Sequence, residues 1–342
     1  MFGCFCYFCT HQNFVFMKKL FLFALLIVAS LQLSAQQMLV GSYNIRYKNQ
    51  HDSINGEVWQ KRCQVICDQL NFMSPDIFGT QEVLYGQLND MKKALDGYDF
   101  IGVGRDDGEH GGEHEAIFYK KDRLQLLDHG DFWLNETPDK PALGWDAACI
   151  RICTWGKFSA KVLDTNQRRG LFNRGPKYKG KVFFFFNLHM DHVGVVARRE
   201  AAKLIVQKIR EIAKGYPVIV TGDFNVDQND EIYTIFTNSG LLKDSYDAAR
   251  IRFAENGTFN AFKTNYFTTS RIDHVFVSPV MNVEAYGVLT DSYWTPDDTD
   301  EALKASDAPQ QISFDTYIRH NPSDHYPVFV RLKFESPMPK KD

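Results

Sequence analysis

Apolar residues recur at two distinct periods along the chain. Between residues 57 and 73, Trp59, Cys63, Ile66, Leu70 and Met73 fall three or four apart, the spacing of one buried helical face. Pro75-Asp76 ends that segment. Residues 85–96 and 195–213 carry the same helical period. Elsewhere the pattern is that of strands. Residues 38–47 are rich in β-formers, and 77–82 form a short apolar run. Further strands are expected at 98–103, 114–120, 124–133, 151–162, 182–189, 216–221, 271–278, 283–289 and 326–334. The run from Val182 to Phe186 is apolar at every position, which suits a central strand covered on both faces. Residues 290–322, rich in Asp, Ser, Thr and Pro, read as a long loop, and loops of that length are often functional.

Many strands with few intervening helices do not fit a doubly wound parallel sheet. The α/β (α+β) class, with two packed mixed sheets and helices outside, fits better. No repeat, low-complexity tract or internal linker interrupts the chain. A single domain is expected over residues 37–336, with a tail at 337–342.

The N-terminus changes the picture of where the protein works. Met17-Lys18-Lys19 precedes an apolar run from Leu20 to Val28, followed by smaller residues ending at Ala35. This is the layout of a secretory signal peptide. Residues 1–35 are therefore read as an N-terminal extension and signal peptide with Met17 as the start, and the mature chain as exported, to the periplasm or beyond. The apolar run is short for a membrane span and no comparable run follows. A retained membrane anchor is the alternative. Cys63 and Cys67 stand one helical turn apart and Cys149 and Cys153 two strand repeats apart, so both pairs are expected to point into a core as free thiols.

Of the 342 residues, 44% are hydrophobic and 24% charged, and the formal charge is −3. That balance is ordinary for a globular protein and argues against storage of nucleic acid by bulk electrostatics.

The chemistry lies in polar residues at strand ends. Asn44 closes the first strand and Glu82 the second. His189 and Asp191 close the Phe-rich strand. Asp223 and Asn225 follow the next, in Gly222-Asp223-Phe224-Asn225. Asp273 and His274 interrupt an apolar run, and Asp324 and His325 precede the last strand. Side chains at the ends of sheet strands can converge on one mouth. Any one of them alone is an ordinary turn or cap residue; the ordered set is what carries information. Carboxylate and amide oxygens suit a hard cation, Mg²⁺ or Mn²⁺, whereas zinc would want clustered His or Cys. Isolated histidines beside acids suit proton transfer and charge stabilisation.

The ordered set resembles the endonuclease/exonuclease/phosphatase superfamily, which includes deoxyribonuclease I. The resemblance rests on Tyr43-Asn44-Ile45-Arg46, Gln81-Glu82, Asn187-Leu188-His189, Gly222-Asp223-Phe224-Asn225, Arg271-Ile272-Asp273-His274 and Ser323-Asp324-His325. It implies a four-layer α/β/β/α sandwich. It also implies Asn44, Glu82 and Asp324 at the metal, His189 and Asn225 on the phosphate, and Asp223 positioning or deprotonating water. His325 would face the phosphate, oriented by Asp273. By the same resemblance Glu113 would pair with His189, and Arg151 would bind phosphate. Asp191 is read as an acid supporting the site residues from behind or, in preference, as a cap for the helix at 195–213.

The expected reaction is metal-assisted attack of water on phosphorus, by a phosphodiesterase or nuclease-like hydrolase acting as a monomer. Small-molecule, inositol-phosphate and lipid phosphoesters are the alternative substrates. A basic insertion with two aromatics, residues 167–181, offers a surface for nucleic acid or, more simply, a solvated hairpin loop. Trp133, Trp145 and Trp155 read as core residues before a pocket wall. A secreted binding protein that has lost catalysis is the alternative from another class, and the completeness of the polar set speaks against it.

Overall fold

The computed structural model describes residues 37–161, 180–297, 309, 312 and 315–334. The chain divides into two units, residues 1–37 and 38–342, and apart from Gln37 every described residue falls in the second. The signal-peptide reading, the C-terminal tail and the basic insertion, except Gly180 and Lys181, lie outside the described residues.

Along the chain run β1 (Gln37–Asn44), α1 (Gln50–Ile54), α2 (Trp59–Met73), β2 (Ile77–Gln81), β3 (Val83–Leu84), α3 (Tyr85–Ala94), β4 (Tyr98–Ile101), β5 (Glu113–His114), β6 (Ile117–Lys120), β7 (Leu124–Trp133), β8 (Ile152–Ala160), β9 (Val182–His189), α4 (Val195–Ala213), β10 (Val218–Asp223), α5 (Glu231–Thr237), β11 (Lys243–Asp244), α6 (Ser245–Ala248), β12 (Ile251–Phe253), β13 (Asp273–Val277), β14 (Met281–Val288), β15 (Tyr293–Pro296), β16 (Tyr317–His320) and β17 (Val328–Phe334). One seven-stranded sheet has the order β12-β14-β17-β1-β2-β6-β4, and a six-stranded sheet has the order β11-β13-β10-β9-β8-β7.

Strand alternation explains how the layers stack. Successive side chains of β9 point to opposite faces. Phe183 and Phe185 enter a buried cluster with Val40, Ile77 and Ile117 of the facing sheet. Phe184 and Phe186 point the other way and pack with Ala201, Ile205 and Ile209 of α4. A third cluster joins Tyr43 and Phe78 of the seven-stranded sheet to Trp59, Ile66 and Leu70 of α2 and to Leu88 and Met91 of α3. Three buried interfaces between four layers make the expected α/β/β/α sandwich, and the Phe run is indeed a central strand covered on both faces.

The two sheets are also stitched by polar groups beneath the future site. Gln81 Nε2 donates to Asn187 Oδ1 at 2.6 Å. Asn187 Nδ2 donates to the carbonyls of Thr80 and Ala116 at 2.8 and 3.1 Å. Thr221 Oγ1 donates to Asn187 Oδ1 at 3.0 Å. Position 79 must be glycine for this to fit, because a Cβ there would collide with Asn187 Oδ1 and Thr221 Oγ1.

Two expectations need correcting. The segment read as a loop at 290–322 contains the hairpin pair β15 and β16. Its polar residues pair with one another: Tyr293 and His320 stack at 5.0 Å, and both reach Glu57 at 3.3 Å. Composition alone hides such a ribbon, since neither face needs to be apolar. Cys149 also departs from its reading. It precedes β8 instead of lying in it, is only partly buried and lines a cleft. Cys63, Cys67 and Cys153 are buried free thiols as expected.

Candidate active site

The site forms where parallel strands end together. β1 and β2 run parallel with Asn44 opposite Gln81, which places Asn44 and Glu82 side by side. In the other sheet β9 and β10 run parallel with His189 opposite Asp223, and β13 pairs antiparallel with Asp223 opposite Asp273. Sheet register thus sets His189, Asp223 and Asp273 in a row. The loop before β17 brings Asp324 and His325 across from the other sheet. Glu82, His189, Asp223, Asn225, Asp324 and His325 border a cleft of about 390 Å³ also lined by Arg46, Arg105 and Arg151.

Three of these residues sit in the left-handed backbone region: Arg46 (φ 58°), Glu82 (φ 62°) and Asn225 (φ 50°). Side chains with a Cβ pay for this conformation with strain, and such positions cluster at functional sites. Here each lies one or two residues past a strand end, in the turn that follows, and lines the cleft.

Asn44 links the two halves. Its Nδ2 donates to Glu82 Oε1 and to Asp223 Oδ2, both at 3.0 Å. Its Oδ1 accepts from the Arg46 backbone N–H at 3.0 Å. The amide therefore turns its donor end to the carboxylates and positions them. Its Oδ1 keeps a second lone pair that a cation could use. Glu82 Oε2 also accepts from Tyr47 N at 3.3 Å. The Arg46 guanidinium stands 3.9 Å from Glu82 and 3.6 Å from Asp324.

Oxygen donors around this point fit a hard divalent cation. Glu82 gathers within ligand reach of Asp223 and His189, and Asp324 faces the same guanidinium as Glu82. Burial raises the pKa of Asp324, although His325 opposes the shift. A carboxylate held in that way gains from any added cation.

Asp273 and His325 form a buried, closely bonded pair. His325 Nδ1 lies 2.8 Å from Asp273 Oδ2, and its Nε2 lies 3.7 Å from Asp223 Oδ2. Burial opposes a charged imidazole, but the Asp273 and Asp223 carboxylates outweigh it and hold the His325 pKa well above its ordinary value. Asp223 is pushed up to about 7 by burial and then by the charge of Asp273. Its Oδ1 accepts from Asn225 N at 3.0 Å. Asn225 Nδ2 reaches Met190 O at 2.9 Å and His189 Nε2 at 3.1 Å.

The expected Glu113–His189 pair is not formed. Glu113 instead makes a two-pronged ion pair with Arg105 at 2.7 and 2.9 Å. The carboxylate beside His189 is Glu115, whose Oε1 lies 3.9 Å from His189 Nδ1. Alternation along β5 and the residue after it puts Glu113 and Glu115 on one face; Arg105 holds Glu113, and the fully buried Glu115 is left beside His189. Neither Glu115 oxygen is hydrogen-bonded, and His189 Nδ1 likewise makes no hydrogen bond. Burial raises Glu115 to about 8 and lowers His189 well below its ordinary value, helped by Arg151 and Arg105. Both are therefore neutral in the free protein, and an arriving phosphate would supply the charge that lets the imidazole take a proton.

That orphaned acid has a consequence for stability. The folded protein keeps the Glu115 proton up to about pH 8, whereas the unfolded chain releases it near 4.5. Stability must then fall as pH rises through this window. Glu115→Gln mimics the neutral acid and should remove this part of the decline. Urea denaturation in EDTA at several pH values checks it; an equal pH slope in both proteins would refute the assignment.

Arg151 lies in the cleft wall as expected, held by Asp191 Oδ2 at 3.4 Å and by His192 Nδ1 at 3.1 Å. Asp191 is not the helix cap. Its carboxylate accepts from the backbone of Ala148, Cys149, Val193 and Gly194. Burial opposes its ionisation, but these N–H groups overcome it and lower its pKa to about 2. Asp146, remote in sequence, caps α4 by accepting from Val196 and Ala197. The three tryptophans pack: Trp133 is buried and donates to Arg105 O at 2.7 Å, while Trp145 and Trp155 lean on the α4-side core.

Arg62 escaped the sequence reading. Wholly buried on α2, it donates to Ile45 O at 2.8 Å, Pro322 O at 3.1 Å and Arg46 O at 3.2 Å. It clamps the turn after β1 to the loop bearing Asp324 and His325. The signal was present: an arginine three residues after Trp59 and one before Cys63 interrupts the apolar helical face.

Comparison with known proteins agrees with this geometry. The model of the endonuclease/exonuclease/phosphatase family matches residues 41–325. A family protein from Bacteroides thetaiotaomicron is 47% identical, with 88% of this chain and 99% of that one covered and a TM-score of 0.77. A mannosyl-6-phosphatase from the same organism is 48% identical, with 87% and 100% covered and a TM-score of 0.76. An uncharacterized protein of Acanthamoeba polyphaga mimivirus is 36% identical over 100 residues, and that match spans 14% of the viral protein.

Proposed function

The chain belongs to the endonuclease/exonuclease/phosphatase family, whose members hydrolyse phosphoesters, and from that premise we propose that it removes a phosphate monoester from a sugar. The observation that carries this reading is the 48% identity, over 87% of this chain, with a mannosyl-6-phosphatase. The cleft supports it. Three guanidinium groups, from Arg46, Arg105 and Arg151, line a recess of about 390 Å³. A monoester carries more negative charge than a diester, and a small recess suits one sugar better than a polymer backbone. This moves the substrate from the nuclease expected on sequence toward a small phosphorylated carbohydrate.

Divalent-metal dependence is part of the proposal. Glu82 and Asp324, with Asp223 nearby, would hold Mg²⁺ or Mn²⁺, and the ion when bound neutralises phosphate charge. The protein's own groups do the rest. Asp223, with its pKa near neutrality, accepts a proton from water as the oxygen attacks phosphorus, and the bond to the sugar oxygen breaks, the sugar leaving as the alcohol with a proton drawn from solvent. Charged His325 and the Asn225 amide stabilise negative charge on the phosphoryl oxygens. His189 takes up a proton as phosphate binds. Export after removal of the N-terminal segment, and action as a monomer, belong to the same proposal.

The test compares phosphate release from mannose 6-phosphate with cleavage of duplex DNA, RNA and a phosphodiester dye, after EDTA treatment and Mg²⁺ or Mn²⁺ return. Metal-restored activity strongest on the sugar phosphate is expected. Faster cleavage of nucleic acid, or turnover untouched by EDTA, would refute the reading.

A further inference from the structure

A second recess, of about 410 Å³, opens beside the catalytic cleft and shares Phe259 and Ile272 with it. The rest of its wall includes Asn260, Asn265, Tyr266 and Phe267. Phe259, Tyr266 and Phe267 are 42%, 61% and 67% exposed, a high cost in ordered apolar surface unless something covers it.

The segment bearing these rings is fastened to the catalytic loop. Phe259 pairs with His325 in an isolated bridge, and their rings meet edge-on at 5.0 Å. The backbone N–H groups of Asn260 and Ala261 donate to Asp324 O at 2.7 and 3.1 Å, and Tyr326 N donates to Thr258 O at 2.6 Å. The Asn260 side chain donates to Ser323 O at 3.2 Å and accepts from Phe262 N at 2.8 Å and Asn321 Nδ2 at 3.1 Å. Ala261 and Phe262 are both left-handed, φ 52° and 60°. Two adjacent strained residues held by that many bonds mark a shape that is specified, with Phe259 fastened beside His325.

The chemistry of the wall selects the occupant. None of the residues lining this recess is charged. A nucleic-acid strand would bring a phosphate with every base and would need cations to meet it. A neutral glycan does not. The C–H face of a sugar ring packs on the electron-rich face of an aromatic ring, and neighbouring amides bond its hydroxyls. We infer that this recess is a second sugar subsite, and that the substrate is a phosphorylated sugar attached to at least one further, uncharged sugar. The inference rests on the sugar-phosphate reading of the neighbouring cleft and extends it to the substrate's remaining part.

The test measures kcat/KM of wild type and the double variant Tyr266→Ala/Phe267→Ala on mannose 6-phosphate and on mannobiose phosphorylated at its terminal 6-position. Both rings are exposed and neither is placed in the catalytic machinery, so turnover of the monosaccharide should stay unchanged, which also reports correct folding. Wild type should prefer the disaccharide, and the variant should lose about 10- to 30-fold on it alone. Equal kcat/KM for the two sugars in wild type, or equal losses on both in the variant, overturns the subsite while leaving the sugar-phosphate reading intact. No turnover of either sugar phosphate by wild type refutes that reading itself. Selective loss on a dinucleotide, with the sugars unaffected, identifies a base-stacking surface and overturns the inference as well.

Discussion

Asp273→Asn should lower kcat by about 10²–10⁴-fold while leaving the metal requirement in place. The carboxylate sits 2.8 Å from His325 Nδ1 and its other oxygen has no partner, so its one strong side-chain interaction is with the imidazole. Its backbone N–H is satisfied separately by Thr258 Oγ1 at 3.0 Å. The residue can thus act on charge without anchoring a loop. Asn keeps the size but cannot hold a proton on His325 against the cost of burial. The pH profile adds a sign. Asp273 raises the His325 pKa, so activity that depends on charged His325 is lost as pH rises through that value. In the variant the loss should come at lower pH. Comparing Asp273→Asn, His325→Ala and the double variant separates the routes: the double should be little worse than His325→Ala alone. Fully additive losses, or a defect cured by excess metal, would defeat the assignment.

The same pair shows what could be read in the sequence. Asp273 and His325 lie 52 residues apart, and only the ordered motif set, through its family resemblance, brought them together. Periodicity placed α2, α4 and β9 well because each has a strict apolar face, and the Phe run declared its two-sided burial. Strand ends were legible for the same reason: the apolar pattern stops where Asn44, Glu82, His189 and Asp223 begin. The parts that were missed depend on geometry that no local pattern encodes. Glu113 and Glu115 share a face, so alternation cannot say which reaches His189; only Arg105, eight residues upstream of Glu113, captures the outer one. Asp191 and Asp146 likewise competed for one helix end, and the backbone amides after Ala147 claimed the nearer acid.

Glu82→Gln should raise the Mg²⁺ or Mn²⁺ concentration needed for half-maximal activity by about 100-fold or more. Glu82 is held on both oxygens, by Asn44 Nδ2 at 3.0 Å and by Tyr47 N at 3.3 Å, in a left-handed turn that aims it into the cleft. A Gln side chain fits that space but presents an uncharged amide, and its NH₂ meets at least one of those two donors head-on. Loss of the negative charge weakens the attraction for a hard cation in a poorly solvated site. The competing explanation is that Glu82 serves only to balance Arg46, whose guanidinium stands 3.9 Å away. In that case the variant should lose stability in EDTA while its metal titration stays where it was. Arg46 has Asp52 at 2.8 Å as a closer partner, so removing Glu82 should leave it anchored and the fold nearly as stable. Calorimetric titration with Mn²⁺, alongside activity against metal concentration and urea denaturation in EDTA, distinguishes the two. An unchanged Mn²⁺ affinity with lowered stability would assign Glu82 to Arg46 and take it out of the metal site.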